Sequence, residues 1–170
     1  MTSKSKKILI IVIILMCAVC VGGFFALDKA TNGIISYYAW KTMSSDSGKG
    51  SYSDINGITL YYEVHGKGEP LLLLHGGTVF IESFCRQIPA LAREFMVIAP
   101  DSRGHGRSGD TDAPLSYRTM ADDMVQLLRI LNIPRAHIVG WSDGGIIGMD
   151  IALRHPEMVG LNPEYLHELM

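Results

Sequence analysis

Three short strings hold residue types whose spacing could do chemistry. The first is Gly140-Trp141-Ser142-Asp143-Gly144. A serine hydroxyl becomes a nucleophile when the backbone holds it clear of its surroundings and a neighbour takes its proton. The flanking glycines allow that presentation, because a Cβ at either place would clash in so sharp a bend. The bend also needs an apolar strand before it and a helix after it, and both are present. The helix N-terminus then favours negative charge near the serine. Ser142 is the expected nucleophile, and the backbone N–H of Asp143 the expected first donor to an oxyanion. The second string, His75-Gly76-Gly77, follows another apolar run, where the backbone N–H of Gly77 is the expected second donor. Losing one such donor costs about 2.7–4 kcal/mol in the transition state. His75 itself is expected to shape its loop by hydrogen bonding.

The third string is Asp101-Ser102-Arg103-Gly104-His105-Gly106-Arg107-Ser108. One Asp and one His four residues apart are too few for a metal site. The glycine spacing does not open a helix, so a dinucleotide fingerprint fails as well. No metal or other cofactor is expected.

These strings need elements to hold them. Residues 58–64 alternate apolar with polar or amphipathic side chains, as in a half-buried strand, and Asn56-Gly57 before them signals a hairpin turn. Residues 70–74 and 95–100 and the run His137-Ile138-Val139-Gly140 read as strands buried on both faces. Helical spacing covers residues 83–93. It recurs in residues 116–131, where Met120, Met124, Leu127, Leu128 and Leu131 share a face. Ser116 and Thr119 are the two candidate caps of that helix, and Thr119 with Asp122 resembles a capping box. Residues 146–154 continue as a helix that His155-Pro156 ends. Strands alternating with helices predict an α/β fold with a largely parallel sheet and helices on both faces. Sites in such sheets lie at the carboxyl ends of the strands, where all three strings fall.

In this order and spacing the three strings resemble the α/β-hydrolase superfamily, over about residues 52–159. The resemblance implies a serine esterase, lipase or related acyl hydrolase with a small-molecule acyl substrate. It implies structural roles for Asp101, Arg103 and His105, with Gly104 and Gly106 allowing their turn. Members of the family that dehalogenate or open epoxides use an aspartate in the nucleophile turn. Asp143 does not fill that role, because the glycine frame centres on Ser142. The family's triad also needs an acid and then a histidine from later strands. Only 28 residues follow Ser142, and no strand pattern separates Asp150, Glu157, Glu164, Glu168, His155 and His167. The chain reads as internally deleted or truncated at the junction Val159-Gly160-Leu161. The His137–Gly140 strand is then expected to be an uncovered edge, and the triad acid and base to be absent. A catalytically inactive fragment is therefore the alternative reading.

The rest of the chain reads as domain 52–170 behind a basic tip (1–7), a transmembrane anchor (8–27) and a stalk or linker (28–51). Residues 8–27 form 20 positions without charge or proline, about the length that crosses a bilayer core. Lys4, Lys6 and Lys7 precede them and predict a cytoplasmic N-terminus with the domain outside. A cleaved signal and secretion is the alternative. Tyr37, Tyr38 and Trp40 could sit at the membrane interface. Cys17 and Cys20 lie in the apolar segment, so Cys85 has no intramolecular partner in the domain and reads as a small buried hydrophobe. Residues 52–170 hold nine Lys and Arg against fifteen Asp and Glu. An acidic domain without a basic stripe argues against a nucleic-acid partner.

Overall fold

The computed structural model describes residues 26–160. Five strands form one sheet: β1 (Gly50–Ile55), β2 (Ile58–His65), β3 (Glu69–Leu74), β4 (Phe95–Pro100) and β5 (His137–Gly140), in the order β1-β2-β4-β3-β5. The helices are α1 (Ile34–Met43), α2 (Gln87–Leu91), α3 (Tyr117–Ile130) and α4 (Asp143–Arg154), with short helical turns at Ile81–Phe84 and Pro156–Met158.

The sheet is mixed rather than largely parallel. β3 runs parallel to β4 and to β5, but β1 is antiparallel to β2, and β2 is antiparallel to β4. The Asn56-Gly57 turn explains the first reversal. Both residues have positive φ, 47° and 83°, the requirement of a tight two-residue hairpin turn.

β3 shows why its run is almost pure leucine. Successive side chains point to opposite faces, and both faces are covered. Leu72 and Leu74 join Leu60, Ile98, Met124, Leu128, Ile147 and Ile151 on the face covered by α3 and α4. Leu71 and Leu73 join Tyr37, Phe84, Ile88 and Val97 on the other face. Burying one such leucine contributes about 1.5–3 kcal/mol. Ser116 caps α3, its Oγ accepting the Thr119 N–H at 3.1 Å. The expected Thr119–Asp122 box does not form, because Asp122 pairs with Arg154 of α4 instead. Asn132 ends the helix at positive φ, with Pro134 beyond it, a common pairing of stop signals.

Two further expectations are corrected. Residues 83–93 do not form one helix. The turn Ile81–Phe84 and α2 are separate, because Pro89 has no N–H and its ring would clash with the carbonyl of residue 85 in a continuous helix. Residues 28–51 do not form a free stalk. They supply α1 and the first residues of β1. Tyr37 is buried to 1% exposure and donates its hydroxyl to Glu63 of β2, so it does not face a membrane. Tyr38 donates to Glu82. The expected anchor at 8–27 lies outside the described residues except for Ala26 and Leu27. Among the described residues no helix is long and apolar enough to cross a membrane.

Candidate active site

β5 leads into Trp141 and Ser142, and α4 starts one residue later. Ser142 has φ 53° and ψ −118°. A non-glycine residue there stores strain of order ~1–3 kcal/mol, which only surrounding structure can hold. The restraint is visible. The Trp141 N–H donates to Leu74 O at 3.0 Å, and the Gly145 N–H donates to Ser142 O at 2.8 Å. A Cβ on Gly140 would stand 2.3 Å from Gly144 O, and one on Gly144 would stand 2.2 Å from Leu74 O. Both contacts are with backbone, so glycine is required at each position.

The loop after β3 lies against this turn. A Cβ on Gly76 would be 3.2 Å from Ser142 Cβ, and one on Gly77 would be 2.5 Å from Asp143 Oδ2. Gly77, Ser142 and Asp143 are therefore neighbours at the carboxyl ends of β3 and β5. His75 holds the loop. Its Nε2 accepts the Ser102 N–H at 2.9 Å, so Nδ1 carries the proton and donates to Gly76 O at 2.7 Å. Burial, the largest influence, pushes the His75 pKa below its usual value. With both nitrogens committed to backbone, it is a brace between two loops.

The loop after β4 is tied down more heavily. Asp101 accepts the Ile81 N–H at 2.9 Å and the Arg107 Nε–H at 2.7 Å. Arg103 grips the buried Asp123 of α3 with two hydrogen bonds, of 2.7 and 2.8 Å, and reaches the Asn56 carbonyl. His105 Nδ1 lies 2.9 Å from Arg103 O. Gly104 and Gly106 have positive φ, 70° and 53°. All three residues thus contact the framework of the loop.

A buried network behind this loop was not foreseen. Glu63 accepts from Lys41 at 2.6 Å, Tyr61 at 2.7 Å, His65 at 2.9 Å and Tyr37 at 3.1 Å. Burial would raise its pKa, but hydrogen bonds from His65, Lys41 and Tyr61 outweigh that and bring it down to about 2. Arg107 stacks 4.2 Å from the Tyr61 ring centroid and pairs with Glu82. The signal was available: Tyr61, Glu63 and His65 alternate along one face of a strand, and that face is covered by α1.

The candidate triad partners fare differently. Asp150 pairs with Arg154 on α4. His155 ends that helix, its N–H donating to Ile151 O at 2.7 Å. His65 faces Glu63 and His137 faces Glu69. Glu164, His167 and Glu168 lie outside the described residues. Among the described residues no side chain hydrogen-bonds the Ser142 hydroxyl. Cys85 is buried just after a helical turn, with its thiol pKa raised chiefly by burial. A cavity of about 340 Å³ opens beside Gly77 and Asp143, with Thr78, His105, Leu115, Tyr117 and Met120 among its walls.

Among the described residues β5 is the sheet's edge. Val139 and Trp141 are exposed there, as are Met149 and Leu153 on the outer face of α4. A single parallel bridge, Ala136 to Val159, begins a further pairing along β5.

The comparisons with known proteins agree with this geometry. A family model described as the alpha/beta hydrolase fold matches residues 69–167. RutD of Azorhizobium caulinodans, a carbamate hydrolase by name, is 46% identical over 103 residues, which are 59% of this chain and 38% of that protein. A fluoroacetate dehalogenase of a Burkholderia species is 40% identical over 111 residues, covering 62% of this chain and 36% of that protein. The solved structure of Est816, an N-acyl homoserine lactone degrading enzyme, matches with TM-score 0.62 and 36% identity. It covers 64% of this chain and 42% of its own. The chain thus spans well under half the length of the relatives it matches.

Proposed function

The chain belongs to the α/β-hydrolase fold family, and on that premise we propose that Ser142 is the nucleophile of a serine hydrolase acting on an ester or related acyl substrate. The observation that carries this reading is the strained turn at Ser142, φ 53° and ψ −118°, held between β5 and α4. Strain of this kind at an exposed hydroxyl fits presentation of a nucleophile. The N–H groups of Gly77 and Asp143 are the proposed oxyanion donors, supported by the contact between their two segments. Relatives bear the names carbamate hydrolase and N-acyl homoserine lactone degrading enzyme, and names of acyl compounds fit a serine at this position. Dehalogenation and epoxide opening fit less well, because the glycine frame puts a serine, not Asp143, at its centre.

A second reading has its own support. The 170 residues by themselves hold the nucleophile half of a site and are catalytically crippled. The described histidines are each engaged elsewhere or unconnected to Ser142, and the chain spans 38% of a relative with 46% identity. A site without its triad partners retains only about 10³–10⁴-fold acceleration over water. Hydrolysis of p-nitrophenyl acetate by the full chain and by Ser142→Ala tests both readings. The expected result is a slow rate that falls in the variant to the residual that the oxyanion donors alone support. Equal rates in the two proteins would remove Ser142 from the chemistry. A rate as high as that of a complete family member would remove the second reading.

A further inference from the structure

The cavity beside the nucleophile has an uneven charge lining. No lysine or arginine is among the residues that line its 340 Å³. Its one formal charge is the carboxylate of Asp143. Tyr117 donates its hydroxyl to Asp143 Oδ1 at 3.1 Å, which fixes the orientation of the carboxylate. Oδ2 is turned toward Gly77 and has no hydrogen-bond partner among the described residues. Asp143 is also the first residue of α4. His105 is the other titratable group on the wall besides Tyr117, and its Nδ1 is engaged with Arg103 O. Leu115 and Met120 supply apolar wall. Residues 52–170 carry fifteen acids against nine bases, so the surrounding field also favours cations.

We propose that this cavity is a subsite for a protonated amine on the substrate, with Asp143 Oδ2 accepting from the ammonium group. This deepens the acyl-hydrolase reading by naming the substrate class: an amphipathic acyl compound with a cationic amine close to the scissile carbonyl. Asp143 then has two separate roles, its backbone N–H toward the oxyanion and its carboxylate toward the amine. A substrate with a carboxylate at the same place meets repulsion from Oδ2.

Binding tests the subsite without relying on turnover. Full-length chain labelled with ¹⁵N is titrated with 2-phenylethylammonium, with its neutral counterpart 2-phenylethanol and with the anion 3-phenylpropanoate. The expected result is about tenfold tighter binding of the ammonium, as one charge-assisted hydrogen bond would supply. The shifts should centre on the amides of Gly77 and Asp143. In Asp143→Asn, which keeps the backbone N–H and the side-chain shape, the preference should disappear. Equal affinities for the three compounds in the native chain would overturn the proposal. So would a preference that survives in Asp143→Asn. The native ligand series stands even if the variant fails to fold. Fluorophosphonate labelling of Ser142, measured alongside, separates this claim from the nucleophile reading. Labelling with no ammonium preference overturns the subsite alone. Ammonium preference without labelling leaves the subsite standing and removes the nucleophile.

Discussion

Around Glu63 the structure is closed, and along β5 it is open. Both Glu63 oxygens are paired, to groups on α1 and β2, and the carboxylate is 0% exposed. On the other side of the sheet, Trp141 is 56% exposed and Leu153 is 83% exposed. The difference separates two tasks of the site. Bracing is the first: the loops beside the Ser142 turn, those after β3 and β4, are cross-braced by His75, Arg103 and Arg107, all from within the described residues. Proton transfer is the other task, and no described residue beside the β5 edge performs it.

The comparison is broken most forcefully from the closed side. Arg103→Ala leaves Asp123 buried at 0% exposure without its charge partner, holding only the Asn56 Nδ2–H bond of its three hydrogen bonds. Removing one partner of a buried pair costs about 3–5 kcal/mol, which a urea denaturation midpoint would register. A loss below about 1 kcal/mol would mean that the loop after β4 is not braced as described.

A smaller effect follows from pH. Hydrogen bonds from His65, Lys41 and Tyr61 hold the Glu63 pKa at about 2 in the folded state, below the ordinary 4.5. The stability it contributes is fully present above pH 4.5 and is lost as pH falls toward about 2. The shift corresponds to on the order of 3 kcal/mol. The stability gap between the native chain and Glu63→Gln should therefore shrink across that window. A gap independent of pH would place the charge of Glu63 outside the network.

The smallest effect is expected at Leu153 on the outer side of α4, a helix whose two faces belong to the two regions. Ile151 is 0% exposed in the core, and Ile151→Ala should cost about 2–5 kcal/mol. Leu153, two residues on, should tolerate Leu153→Ala within about 0.5 kcal/mol. A cost at Leu153 near that at Ile151 would show that the outer face is covered in solution.

The two regions also differed in how much of them could be read from sequence. The strained turn at Ser142 was readable because its determinants are local: Gly140, Ser142 and Gly144 lie within five positions. The Asn56-Gly57 hairpin was readable for the same reason. The antiparallel pairing of β2 with β4 was not, because periodicity identifies a strand but not the direction of its neighbour. The role of residues 28–51 was hidden by distance in sequence. Tyr37 and Glu63 meet across 26 positions, and the Ser- and Gly-rich segment between α1 and β1 looks like a linker. The subsite carboxylate of Asp143 was masked by its backbone role, since only the fold shows that its side chain faces Gly77.

The central claim is a positioned Ser142 hydroxyl with no imidazole among the described residues to take its proton. The most direct test is the rate of fluorophosphonate modification of the full chain between pH 6 and 9, read by mass spectrometry. The account predicts slow modification at Ser142, none in Ser142→Ala, and a rate that rises about tenfold per pH unit with the alkoxide fraction. An inflection near pH ~6.5 followed by a plateau would reveal a coupled histidine and contradict it.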